Sequence, residues 1–132
     1  MTAAVSGIPV LVVDDNPTNL KLLSYVLSSQ GYDVQTAADG ATALEAVRSR
    51  RPRLILMDLQ LPGMDGLEVT RRLKSDPATR DIVVLAVTAY AMKGDEERAL
   101  AAGCDGYIAK PINTRTFPAL VGGYLVRASE PS

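Results

Sequence analysis

The chain has 132 residues, 47% hydrophobic and 22% charged, which is the size and composition of one soluble globular domain with room for a real core. Fourteen Lys and Arg against fifteen Asp and Glu leave a formal charge of −1, so there is no electrostatic footprint for DNA, RNA or an anionic membrane. With no His and one Cys, Ser-His-Asp and Cys-His catalysis, His-ligated zinc and an internal disulfide are all excluded.

Residues 1–7 carry neither a basic n-region nor an apolar h-region, so no signal peptide is expected. The longest apolar runs, 8–13 and 82–87, fall far short of the roughly 18 residues a membrane span needs. A cytoplasmic protein is expected, with Cys104 as a buried reduced thiol. One domain over 8–126 is expected, flanked by flexible termini at 1–7 and 127–132.

In chain order, the apolar run 8–13 predicts the first strand. Asn16-Pro17 then pairs a cap residue with Pro at the first helical position, and Leu20, Leu23, Val26 and Leu27 make one apolar face ending at Gln30-Gly31. Run 34–37 is a second strand. Asp39-Gly40 opens a second helix with Ala43, Leu44 and Val47 inward, ended by Pro52. Run 54–57 is a third strand, and Asp65-Gly-Leu-Glu68 has capping-box spacing ahead of a helix with Leu67, Thr70 and Leu73 inward. Run 82–87 is a fourth strand. Gly94-Asp-Glu-Glu-Arg98 begins a fourth helix, polar almost all round and so expected to pack on little, ending near Gly103. Run 107–109 is a fifth strand. The last helix is expected to start late, with Thr116 as cap and Phe117-Pro118 in its first turn, and to be interrupted at Gly122-Gly123. The strongest runs are continuous in Val, Ile and Leu, as in strands buried on both faces. Five βα units in sequence predict an α/β fold: three layers, doubly wound, with a five-stranded parallel sheet of flavodoxin-like kind.

Polar residues stand at the carboxyl ends of four of these strands: Asp14-Asp15, Asp58, Thr88 and Lys110-Pro111. Alone, a turn, a cap or a loop explains all of them except Asp58, which has no structural task after Leu-Ile-Leu-Met. Together they share the sheet edge where open α/β folds bind ligands. Three carboxylates in one crevice repel unless a cation joins them, and hard oxygen ligands without His or Cys suit Mg²⁺. Lys110 suits a phosphoryl group as a point charge, Thr88 can donate to one, and Asp58 is the best placed nucleophile for an aspartyl phosphate.

Val-Leu-Val-Val-Asp-Asp-Asn at 10–16, Leu-Ile-Leu-Met-Asp-Leu-Gln-Leu-Pro-Gly-Met-Asp-Gly at 54–66, Val-Thr-Ala at 87–89 and Lys110-Pro111 resemble the receiver domain of two-component response regulators, over nearly the whole chain. The resemblance implies strand order 2-1-3-4-5 and a phosphoacceptor at Asp58. It implies Mg²⁺ bound by Asp15 directly, by Asp14 through water, by Asp58 and by the backbone carbonyl of Gln60. Thr88 would be the switch hydroxyl, Lys110 the phosphate-binding lysine and Tyr107 a switch aromatic, with a cis Lys110-Pro111 bond. Gln60 and Tyr90 occupy positions that tune phosphoryl lifetime in the family. The segments 89–98 and 102–107 are similar to those of free-standing cell-division and polarity receivers and of hybrid-kinase receivers, and the initial Met leans toward the former. Implied partners are a histidine kinase or phosphotransfer domain as donor and an output protein, with no DNA and no membrane, the chain acting as a monomer or weak dimer. The competing class is an enzyme, a phosphatase of haloacid-dehalogenase type. That family places its nucleophile in Asp-x-Asp on the first strand, whereas Asp14 and Asp15 are adjacent.

Overall fold

β-Branched and leucine runs make the strands, and capped segments with one apolar face make the helices. The computed structural model describes residues 7–59, 61, 63, 65–88, 94–110 and 112–129. Its elements alternate as β1 (Pro9–Val13), α1 (Pro17–Ser29), β2 (Asp33–Ala37), α2 (Gly40–Ser49), β3 (Leu54–Asp58), α3 (Gly66–Ser75), β4 (Val83–Thr88), α4 (Asp95–Ala101), β5 (Gly106–Ala109) and α5 (Phe117–Ser129). The strands form one parallel sheet in the order β2-β1-β3-β4-β5. This is the doubly wound flavodoxin-like architecture, with β3 central.

Period-two alternation divides the core. Leu11, Val13, Ile55, Met57, Val84 and Ala86 face α2, α3 and α4, meeting Ala43, Val47, Val69, Leu73 and Ala99. Val10, Val12, Leu54, Leu56, Leu85 and Val87 face α1 and α5, meeting Leu23, Leu27, Phe117, Val121 and Leu125. Burial on both faces is why the runs are continuous instead of alternating.

Helix starts follow the cap residues. Asn16 Oδ1 accepts the backbone N–H of Thr18 at 2.8 Å and of Asn19 at 3.3 Å, and Gly31 closes the far end in the left-handed region at φ +99°. Asp39 accepts the Thr42 N–H at 2.7 Å, which holds its carboxyl below the usual range. At α3 half of the capping box forms: Asp65 accepts the Glu68 N–H, while the Glu68 carboxylate turns to Arg72 at 3.1 Å. Beyond α3, the Lys74 ammonium donates to the carbonyls of Arg80 (3.1 Å) and Ile82 (2.7 Å) and to Asp105 (2.9 Å), tying the edge of the sheet opposite the site.

The structure corrects two expectations. α4 is polar on its outer side but buries Ala99, with Ala102 and Cys104 behind it, so it seals the core through small residues. α5 is not interrupted at Gly122-Gly123. Phe117, Val121 and Leu125, spaced by four, bury one face, and that burial outweighs a propensity cost of about 1 kcal/mol per Gly. α5 runs on to Ser129, and the Gly7 N–H donates to Gly31 O at 2.8 Å. Among the described residues, no helix is long and apolar enough to cross a membrane.

Candidate functional site

Parallel register brings the strand ends together. Val13 pairs with Met57, so Asp14 follows β1 level with Asp58 at the end of β3, and Asp58 pairs with Val87, one residue before Thr88. Thr88 pairs with Ala109, and the Lys110 N–H continues that ladder to Thr88 O at 2.7 Å. Asp14, Asp58 and Thr88 are buried at 2%, 3% and 1% exposure, while Asp15 is exposed. Tyr107 lies half-buried on β5 opposite Ala86, against the core beneath α2, α3 and α4. Gln60, Tyr90 and Pro111, and with Pro111 the expected cis bond, lie outside the described residues.

Glycine makes room for Asp58. A Cβ at Gly66, the first residue of α3, would collide with the Asp58 carbonyl oxygen and stand 3.0 Å from Met57 Cγ. The backbone of α3 therefore approaches β3 closely at Asp58, which only Gly allows.

The Lys110 ammonium lies between two carboxylates, 3.0 Å from Asp14 Oδ2 and 3.4 Å from Asp58 Oδ2. Burial alone would lower its pKa, but the hydrogen bond to Asp14 and the charges of Asp58 and Asp14 outweigh burial. The net displacement is upward from the ordinary lysine value. Asp14 also accepts the Asn16 backbone N–H at 2.9 Å and the Asn19 side-chain amide at 3.3 Å. Asn19 was not singled out from the sequence. A polar residue in a helix's first turn resembles a solvated face, and only the backward lean of helical side chains hints that it reaches the preceding strand end.

Carboxylate oxygens of Asp14, Asp15 and Asp58 lie within 4.8 Å of one another. Oxygens opposite each other on one Mg²⁺ at ~2.1 Å stand about 4.2 Å apart, so this cluster needs only small movements to share an ion. Three carboxylates against one ammonium also leave the cluster net negative among the described residues. Donor type, spacing and charge all fit Mg²⁺.

An acidic crevice with a bridging lysine, at the carboxyl edge of a 2-1-3-4-5 sheet, defines a class of signalling domain. Residues 10–121 match the response regulator receiver domain, and the chain belongs to that family. It is 48% identical over 116 residues to the polar-differentiation response regulator DivK of Brucella anthropi, covering 88% of this chain and 94% of that protein. Among solved structures it is similar to the receiver domain of the sensor histidine kinase PA1611 from Pseudomonas aeruginosa, which has a magnesium ion coordinated in its active-site cleft (35% identity, TM-score 0.84, 92% of this chain and 99% of that one). It is also similar to the receiver domain of a histidine kinase from Syntrophus aciditrophicus (31%, TM-score 0.85, 94% of each chain). The chain is thus a DivK-like receiver of a two-component system, and the phosphatase alternative is not favoured.

Proposed function

We propose that this receiver accepts a phosphoryl group on Asp58 from the phosphohistidine of a histidine kinase or phosphotransfer domain in the cytoplasm. An Asp58 carboxylate oxygen attacks phosphorus as the P–N bond breaks, and the imidazole nitrogen keeps the electron pair. Asp14, Asp15 and Asp58 would hold Mg²⁺, with the Gln60 carbonyl completing the protein's share. When bound, the ion neutralises charge that builds on the phosphoryl oxygens. Lys110 offers its ammonium to another of those oxygens, and Thr88 its hydroxyl. The supporting observation is Lys110 Nζ poised between Asp14 and Asp58 at the end of the central strand.

Inward movement of Thr88 toward the phosphoryl group opens space that Tyr107, two register positions away on the neighbouring strand, can fill. That step shifts a population between two surfaces, and so changes which protein partner binds. A chain charge of −1 favours a protein partner over DNA, with the receiver acting as a monomer or weak dimer. The test is labelling with acetyl phosphate. Label should enter wild type only with a divalent ion and should be lost in Asp58→Asn. Labelling of Asp58→Asn at the wild-type level would remove Asp58 from the role, and labelling without a divalent ion would remove the metal.

A further inference from the structure

Asp14 is buried, and a buried carboxylate is tolerable only with donors on its oxygens. Oδ1 accepts the Asn16 N–H; Oδ2 accepts both Lys110 Nζ at 3.0 Å and Asn19 Nδ2 at 3.3 Å. A carboxylate only accepts, so the end of the Asn19 amide that faces it must be the NH₂. The two donors to Oδ2 differ in mobility. Lys110 sits on a flexible stem and already divides itself between Asp14 and Asp58. Asn19 has two side-chain torsions and stands in the first turn of α1, where Asn16 Oδ1 holds its backbone N–H at 3.3 Å.

We propose that Asn19 is a positioning residue for phosphoryl acceptance: it keeps Asp14 Oδ2 in place when the Lys110 ammonium turns to a phosphoryl oxygen on Asp58. The inference rests on the phosphoacceptor reading above. In the ground state Asp14 Oδ2 has two side-chain donors. Once Lys110 has turned, the Asn19 amide is the side-chain donor left to offset the burial of that oxygen. The contribution of Asn19 is therefore larger in the phosphorylated state than before it, which is what a positioning role in transfer requires.

The experiment uses the whole chain and beryllofluoride as the phosphoryl mimic, titrated at saturating Mg²⁺, with Mg²⁺ alone titrated in parallel. Asn19→Ala should raise the half-saturating beryllofluoride concentration by about fivefold while changing Mg²⁺ affinity by less than about twofold. Asn19→Leu keeps a similar shape and adds no charge to the cluster but cannot donate. It should preserve the metal-free melting temperature, where Lys110 still serves Asp14 Oδ2, and weaken beryllofluoride at least as much. A purely structural Asn19 would show no such split. Beryllofluoride binding within about twofold of wild type in both variants, or an equal loss for Mg²⁺ alone, overturns the assignment. If wild type binds no beryllofluoride, the phosphoacceptor reading fails instead. The contact is then judged separately in metal-free protein, where Asp14→Ala should shift the Asn19 side-chain amide resonances. Resonances unchanged by that substitution overturn it.

Discussion

At the scale of single residues, the site is an ion cluster whose balance, among the described residues, depends on the Lys110 ammonium. Lys110→Met leaves Asp14 and Asp58 buried without it, and breaking a largely buried pair costs roughly 3 kcal/mol. Urea unfolding of metal-free Lys110→Met should show a loss of that order. A divalent ion that binds only the folded state should recover much of it, up to about 2.7 kcal/mol at a hundredfold excess over Kd. No recovery with Mg²⁺ would mean that the carboxylates do not share an ion.

Cys104 carries a separate residue-scale prediction. The Thr70 hydroxyl donates to Gly66 O at 2.8 Å, so the Cys104 thiol must be the donor in its 3.8 Å contact with Thr70. Desolvation pushes the thiol above its ordinary value. Lys74 opposes that shift and Asp105 adds to it. A raised folded pKa means that the folded protein keeps a proton the unfolded chain loses. The associated stability is intact below about pH 8.5 and falls away as pH rises through the folded value. Stability of wild type should therefore decline with rising alkalinity faster than that of Cys104→Ala. Iodoacetamide at pH 8 should modify the native thiol far more slowly than the urea-unfolded one.

At the scale of elements, two glycines make opposite predictions. Gly66→Ala drives a methyl group into the Asp58 carbonyl, so α3 must move off β3 and disturb the Asp58 backbone. It should lower both the melting temperature and beryllofluoride affinity. Gly123 lies exposed within α5 with nothing near its missing Cβ, so Gly123→Ala should stabilise by about 1 kcal/mol in a denaturant melt and leave the site untouched. The same helix shows where the sequence misleads. Two adjacent glycines suggest a break because propensity is local, whereas the burial of Phe117, Val121 and Leu125 is tertiary. The strand ends were legible for the converse reason: parallel pairing forces Asp14, Asp58, Thr88 and Lys110 onto one edge whatever the loops do. What sequence could not convey was distance. Lys110 dividing itself between Asp14 and Asp58, and Asn19 reaching back to Asp14, depend on side-chain geometry that no spacing rule encodes.

At the scale of the whole molecule, the fold joins a rigid centre to a lightly held edge. β3 is buried along its length, whereas α4 starts at Gly94 without a side-chain cap bond and buries mainly small residues. Elements of that kind open at low free-energy cost and are easily biased. Beryllofluoride should therefore change amide exchange in residues 95–102 and 106–109 as well as around Asp58, and Thr88→Ala should confine the change to the Asp58 surroundings. A silent α4 in wild type would move the output to another face.

The hydrogen bond between Asp14 and Lys110 joins residues 96 positions apart, and this has a consequence for biosynthesis. A ribosome adding ~5–20 residues per second delivers the lysine roughly 5–20 s after the first aspartate. Throughout that interval the nascent chain carries acidic groups without the ammonium that completes them. On the phosphoacceptor reading, an unfinished or truncated copy lacks the ammonium that would meet the phosphoryl group, so chains ending before Lys110 should take up less label from a donor than the whole chain.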